Sequence, residues 1–297
     1  MSVSLSSFEV ITGLPEFIAY GIVVLLGGIV GSFLNVVIHR IPLGQSIIFP
    51  SSACPNCKSP VKAYDNIPIL GWLILRGKCR ACKNRISARY PVVELLTAFL
   101  FTIVYWQIGL SPFLPVCLLF ISAIVILGFI DAEHLILPNL ITYPLLVFAL
   151  AVRITYPLVF DSNYFSDLGY ALATYLAGYP AWLVSFFGAV VGAAAGGGSL
   201  WVVGEAWKRF RGVEAMGLGD VKMMFGVGAF LGWRLAIFSI FVAAFSGAII
   251  GIVVIARQKE KNFQTQMPFG IFLGLGTVIA LLFGEQMIAW YIEKFIL

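Results

Sequence analysis

The sequence predicts an all-α polytopic membrane protein of about eight transmembrane helices with a small zinc-ribbon-like cytoplasmic insertion. Three observations carry this. Of 297 residues, 60% are hydrophobic and 11% charged, against about 25% charged in soluble domains. Long apolar runs recur along the chain. Between the first two lies a polar stretch with two Cys-x-x-Cys pairs.

The runs are Phe17–Ile38, Val92–Ile108, Pro112–Ile130, Leu137–Val152, Ala181–Val203, Val221–Trp233, Leu235–Ala256 and Pro268–Ile292. The first is 22 residues without a charge, enough to cross roughly 30 Å of hydrocarbon as a helix. The sixth is short and contains Lys222. Continuous apolar runs without alternation indicate helices rather than a membrane barrel. Residues 1–16 lack the basic stretch of a cleavable signal peptide, so the first run is expected to remain as a helix.

Basic residues orient the chain. With residues 1–16 outside and each run crossing once, the inside segments are 39–91, 131–136, 204–220 and 257–267. With Lys222 they hold 16 of the 19 Lys and Arg residues, leaving Arg153, Arg234 and Lys294 on the other side. This bias accounts for the net charge of +5 without nucleic-acid binding. The expected organisation is residues 1–39 as N-terminus and first helix, 40–91 as the insertion and 92–297 as a membrane bundle. The aromatic loop 154–179 is expected at the outer interface. Gly188, Gly192, Gly196, Gly197 and Gly198 suit close helix packing.

The insertion is short and poor in large apolar residues, so it needs a staple. Cys54-Pro-Asn-Cys57 and Cys79-Arg-Ala-Cys82 have the spacing class of a four-thiolate zinc site, which is closed and structural. Two disulfides or separate redox pairs would use the same residues. An inside location disfavours disulfides, and the surrounding basic residues are expected to keep the thiols ionised. Cys117, alone in an apolar run, reads as a small core residue.

Glu94, Asp131, Asp220 and Glu285 are the acids at or within the apolar runs. A charge there costs on the order of 2.5–3.5 kcal/mol, so such acids are functional candidates. Asp131 ends the third run and Asp220 opens the sixth, which the charge count places on one face. If the two carboxylates meet, they share one proton, because like charges about 3 Å apart do not both ionise. The pair could then activate water. Gly217 and Gly219 before Asp220 would let a peptide backbone come close. Residue types and spacing alone leave open a peptidase, an ion-coupled transporter and a pair of solvated helix-end acids.

The ordered motifs resemble the type IV prepilin peptidases, which cleave leaders and methylate N-termini within the GxGD aspartic protease group. Gly31-Ser-Phe-Leu-Asn-Val-Val-Ile-His-Arg-Ile-Pro42 resembles the family's first-helix signature. Arg89-Tyr-Pro-Val-Val-Glu-Leu-Leu96 resembles its second-helix entrance. Asp131-Ala-Glu-His-Leu-Ile-Leu-Pro-Asn139 and Gly217-Leu-Gly-Asp-Val-Lys222 resemble its two catalytic motifs. Pro268-Phe-Gly270 resembles a C-terminal motif, with Ile271 where proline is common. The resemblance implies catalysis by Asp131 and Asp220 at the cytoplasmic face of a bacterial inner membrane. The implied substrates are prepilins and pseudopilins, whose basic leaders would be cut before a hydrophobic helix. It also implies methylation of the new amine with S-adenosylmethionine as donor. Glu94, Gly77 and Lys78 are the candidates for supporting that transfer, and no GxGxxG donor loop is present.

Overall fold

A computed structural model describes residues 7–160, 178–213, 216–257 and 268–295. Each predicted apolar run coincides with a helix. The helices are α1 (Ser7–Thr12), α2 (Glu16–Arg40), α3 (Leu70–Ile74), α4 (Arg89–Ile108), α5 (Leu114–His134) and α6 (Asn139–Phe160). They continue as α7 (Ala181–Arg211), α8 (Leu218–Leu231), α9 (Trp233–Arg257) and α10 (Phe269–Phe295). The aromatic loop differs from expectation at its start, because α6 continues to Phe160; residues 161–177 lie outside the described part. Most of the expected inside segment 257–267 also lies outside it.

Among the described residues, seven helices are long and apolar enough to cross a membrane: α2, α4, α5, α6, α7, α9 and α10. The protein is thus a multi-pass membrane protein. The difference from eight is α8. Its 14 residues extend about 21 Å, short of the roughly 30 Å hydrocarbon layer.

The chain divides into two compact units, Met1–Ile126 and Leu127–Leu297. In the first, α2 packs along α4. A Cβ on Gly27 would lie 2.5 Å from Ala98 Cα, so the backbones nearly touch. Asn35 Nδ2 donates to the Tyr90 carbonyl (3.0 Å) and ties the two helices together.

In the second unit, α8 is surrounded by α6, α7, α9 and α10. Three glycines of α7, Gly192, Gly196 and Gly197, serve the close packing expected of them, whereas Gly198 faces open space. A Cβ on Gly192 would lie 2.1 Å from Gly228 O, and Gly196 and Gly197 face Met224 and Phe225 as closely. Residues Ala194–Gly198 form a π-helical segment there. Arg234, which the charge count put on the outer side, pairs with Glu285 at 3.4 Å.

Candidate active site and metal centre

Asp131 lies in the last turn of α5 and is 5% exposed. Asp220 lies in the first turn of α8 and is 8% exposed. The two aspartates line one cavity of about 260 Å³ together with Leu135, Ile136, Leu137, Gly217, Gly219 and Lys222. Residues 89 positions apart in sequence are thus brought to one site within the second unit, as the one-face reading required.

Each carboxylate stands at a helix N-terminus, where free N–H groups and the helix dipole favour negative charge. Asp220 is in the first turn of its own helix. Asp131 instead serves a neighbour: its Oδ2 accepts from the Ile271 N–H at the start of α10 (3.3 Å). Gly270 makes the approach possible, because a Cβ there would lie 2.8 Å from Asp131 Oδ2.

The cavity wall is shaped by the short connection between α5 and α6. Leu135 has φ +55° and its N–H donates back to the Asp131 carbonyl (2.9 Å), closing α5 just after the acid. A Cβ on Gly219 would meet Leu137 Cβ at 2.9 Å, so this glycine admits the connection beside Asp220. Lys222 Nζ donates to Asn139 Oδ1 (2.9 Å) and lies 5.3 Å from the Tyr143 ring centroid, fastening α8 to the start of α6.

The cysteines form a second constellation, in the first unit. The Sγ atoms of Cys54, Cys57, Cys79 and Cys82 all lie within 4.8 Å of one another. Cys54–Cys82 is 3.8 Å and Cys57–Cys79 is 3.9 Å. Tetrahedral thiolates at about 2.3 Å from a metal would be about 3.8 Å apart, so the cluster could hold a metal ion.

Two matching knuckles build it. Cys54 N donates to Ser59 O and Lys58 N to Cys54 O. Cys79 N donates to Asn84 O and Lys83 N to Cys79 O, in the same register. Lys58 and Lys83 occupy equivalent left-handed positions (φ 58° and 59°). Hydrogen bonds within the knuckles are the largest causes that lower the Cys57 and Cys79 thiols. The Ser59 hydroxyl, 2.9 Å from Cys57 Sγ, is the main cause lowering that thiol to about 6. Backbone N–H groups of Cys82 and Ala81 lower Cys79.

The three residues considered for methyl transfer also lie in the first unit. Glu94 is buried and accepts from the Ile69 N–H (2.7 Å) and from Ser32. Gly77 has φ +65° and packs on the Trp72 ring, where a Cβ would be 2.8 Å from Cζ2. Lys78 is exposed and its backbone bridges to Arg85. These contacts secure the insertion.

Two family models match the chain. The bacterial peptidase A24 N-terminal domain covers residues 25–108, including all four clustered cysteines. The type IV leader peptidase family covers residues 118–252, including both aspartates. The chain belongs to the type IV leader peptidase family. One relative, the prepilin leader peptidase/N-methyltransferase of Aeromonas hydrophila, is 35% identical over 97% of this chain and 98% of its own length. That of Stutzerimonas stutzeri is 35% identical over 90% and 92%. That of Pseudomonas aeruginosa is 34% identical over 91% and 92%. No solved structure matches the chain. The start of α10 lies beyond both family models, yet Gly270 and Ile271 stand directly against Asp131.

Proposed function

We propose that the chain is a prepilin peptidase that removes the basic leader of prepilins and pseudopilins and then methylates the new N-terminal amine. The observation that carries the cleavage reading is the meeting of Asp131 and Asp220 on one cavity. Methylation, with S-adenosylmethionine as donor, is supported by the printed name of the relatives. Nothing in the site or the relatives favours an ion-coupled transporter.

In cleavage, one aspartate is ionised and the other holds the shared proton. The ionised carboxylate takes a proton from water as the water oxygen bonds to the scissile carbonyl carbon. The protonated partner gives its proton to the carbonyl oxygen. Collapse of the tetrahedral species re-forms the carbonyl and breaks the C–N bond. The leaving amine takes a proton from one aspartate while the other accepts the hydroxyl proton released as the carbonyl re-forms, so the dyad keeps a single proton. Gly217 leaves room for the substrate backbone beside Asp220, Gly219 lets the α5–α6 connection close the wall there, and Lys222 keeps α8 in place.

The basic-residue bias supports a cytoplasmic catalytic face in a bacterial inner membrane. The cysteine cluster is read as a structural zinc site, since four thiolates leave no open position for catalysis. Separate Asp131→Asn and Asp220→Asn exchanges, assayed on a prepilin in membranes, test the dyad. Both are expected to abolish cleavage while the protein still inserts. Near-normal cleavage by either one overturns the assignment.

A further inference from the structure

The insertion between α2 and α4 carries an apolar surface that a water-borne zinc module does not need. Leu70, Leu73 and Ile74 of α3 are 55, 55 and 67% exposed. Adjacent large aliphatic side chains on one exposed turn mark a surface that meets something apolar.

Two independent contacts fix how deep this turn lies. Pro68 rests on α2 at Gly28, where a Cβ would stand 3.3 Å from Pro68 Cβ. Gly28 is 12 residues before Arg40, the last residue of α2, so Pro68 lies about 18 Å along the helix from that end. This is close to the middle of the charge-free run Phe17–Ile38. The second contact is Ile69, whose N–H donates to Glu94 inside α4 (2.7 Å).

The backbone of the turn meets the demand that hydrocarbon imposes, which is that polar groups find partners within the protein. Leu70 N donates to Pro68 O, Gly71 N to Ile67 O, Leu73 N to Ile69 O and Leu75 N to Gly71 O. Pro68 has no N–H to satisfy. Ile69 sits at φ +64°, and the buried carboxylate of Glu94 receives its N–H. Lys62 on one side and Arg76 and Lys78 on the other bracket the apolar stretch, as basic residues do where a segment leaves lipid for water.

We propose that residues 66–75 form a re-entrant turn that enters the bilayer from the side on which α2 ends, with Leu70, Leu73 and Ile74 against lipid acyl chains. The insertion is then part water-facing metal module and part membrane element, and Glu94 is the acceptor that anchors the turn at depth. This stands on geometry alone and is independent of the proposed reaction.

A photoactivatable phospholipid tests it, with a diazirine in the middle of its acyl chain and the full-length protein in nanodiscs. Adducts are located by peptide mass spectrometry after illumination. Ile22 and Leu25 on the exposed side of α2 (54 and 62% exposed) report the acyl region. The expected result is adducts on Leu70, Leu73 or Ile74 as well as on Ile22 and Leu25, with Cys54–Ser59 unmodified. Adducts on Ile22 and Leu25 with none across 66–75 would overturn the proposal.

Discussion

Gly270 and Asp131 stand so close that no side chain fits between them: a Cβ on Gly270 would lie 2.8 Å from Asp131 Oδ2 and 2.9 Å from its Cγ. The contact joins the end of α5 to the beginning of α10. It lets Asp131 accept from the Ile271 N–H, one of the first-turn donors that a helix leaves free. An ionised acceptor makes such a bond stronger than a neutral pair would.

Gly270→Ala is therefore expected to turn the Asp131 carboxylate away from its position. Overpacking of this kind costs about 1–3 kcal/mol, and each ~1.4 kcal/mol lost from the transition state is tenfold in rate. Prepilin cleavage should fall roughly 10- to 100-fold, mostly in kcat. Ile271→Pro makes a milder change. It removes one donor to Asp131 but sits in the first helical turn, where proline is tolerated. It should keep more activity than Gly270→Ala. Steady-state cleavage by both variants checks the order, and equal activity in wild type and Gly270→Ala would remove the packing argument.

The sulfur spacing makes a stoichiometric claim. Protein purified with reduced thiols is expected to carry about one zinc per chain, since four thiolates close one tetrahedral shell. Cys57→Ser or Cys82→Ser should release it. Metal binding is folding energy for so small a module, so either variant should also expose the insertion to limited proteolysis. Elemental analysis and a protease time course measure both effects. Full metal content in both variants would show that the ion is held elsewhere.

Much of this architecture is legible in the sequence because hydropathy and basic residues report on the membrane itself. Asp131 and Asp220 could be put on one face by counting Lys and Arg, with no knowledge of the fold. What stayed hidden depends on hydrogen bonds and close approach. Nothing in the spacing of residues 131 and 270 shows that a glycine must stand against that aspartate; only the resemblance of Pro268-Phe-Gly270 drew attention to it. A boundary glutamate such as Glu94 suggests a cation as partner, whereas the structure gives it the backbone N–H of Ile69. Backbone donors carry no residue identity, so a sequence cannot advertise them. Arg153 was counted as a charge on the outer side, yet it is fully buried. An apolar run cannot show that one helix inside it ends early and needs a donor.

Glu94 can be tested by separating its charge from its capacity to accept. Glu94→Gln keeps an acceptor for Ile69, whereas Glu94→Leu leaves that N–H unmatched at a cost of about 1–3 kcal/mol. The glutamine variant is expected to melt, cleave and methylate close to wild type. The leucine variant is expected to be less stable and to lose both activities together. Thermal unfolding in detergent and labelled S-adenosylmethionine provide the readouts. A glutamine variant that cleaves normally but no longer methylates would instead give the carboxylate a direct part in methyl transfer.

The short length of α8 gives Arg153 a task at the end of that helix. A helix of 14 residues spans about 21 Å, so a start at one membrane boundary puts its end within hydrocarbon. The last carbonyls of a helix have no partner within it, and lipid offers none. Gly232, with φ +84°, folds back so that its N–H donates to Gly228 O (2.9 Å). Arg153 Nε, from α6, donates to Ala229 O (3.0 Å). Its positive charge also suits the negative end of the helix dipole. Asp220 sits at the other end of this helix, so a shift of α8 moves the carboxylate proposed to act in cleavage. Arg153→Leu is expected to cost about 1–3 kcal/mol through the unmatched carbonyl and to lower kcat for prepilin cleavage. Arg153→Lys keeps a donor and a charge on a different head group, so it should recover part of both losses. Thermal melting and cleavage kinetics on the three proteins decide the matter: if Arg153→Leu melts and cleaves as wild type does, α8 does not depend on this donor.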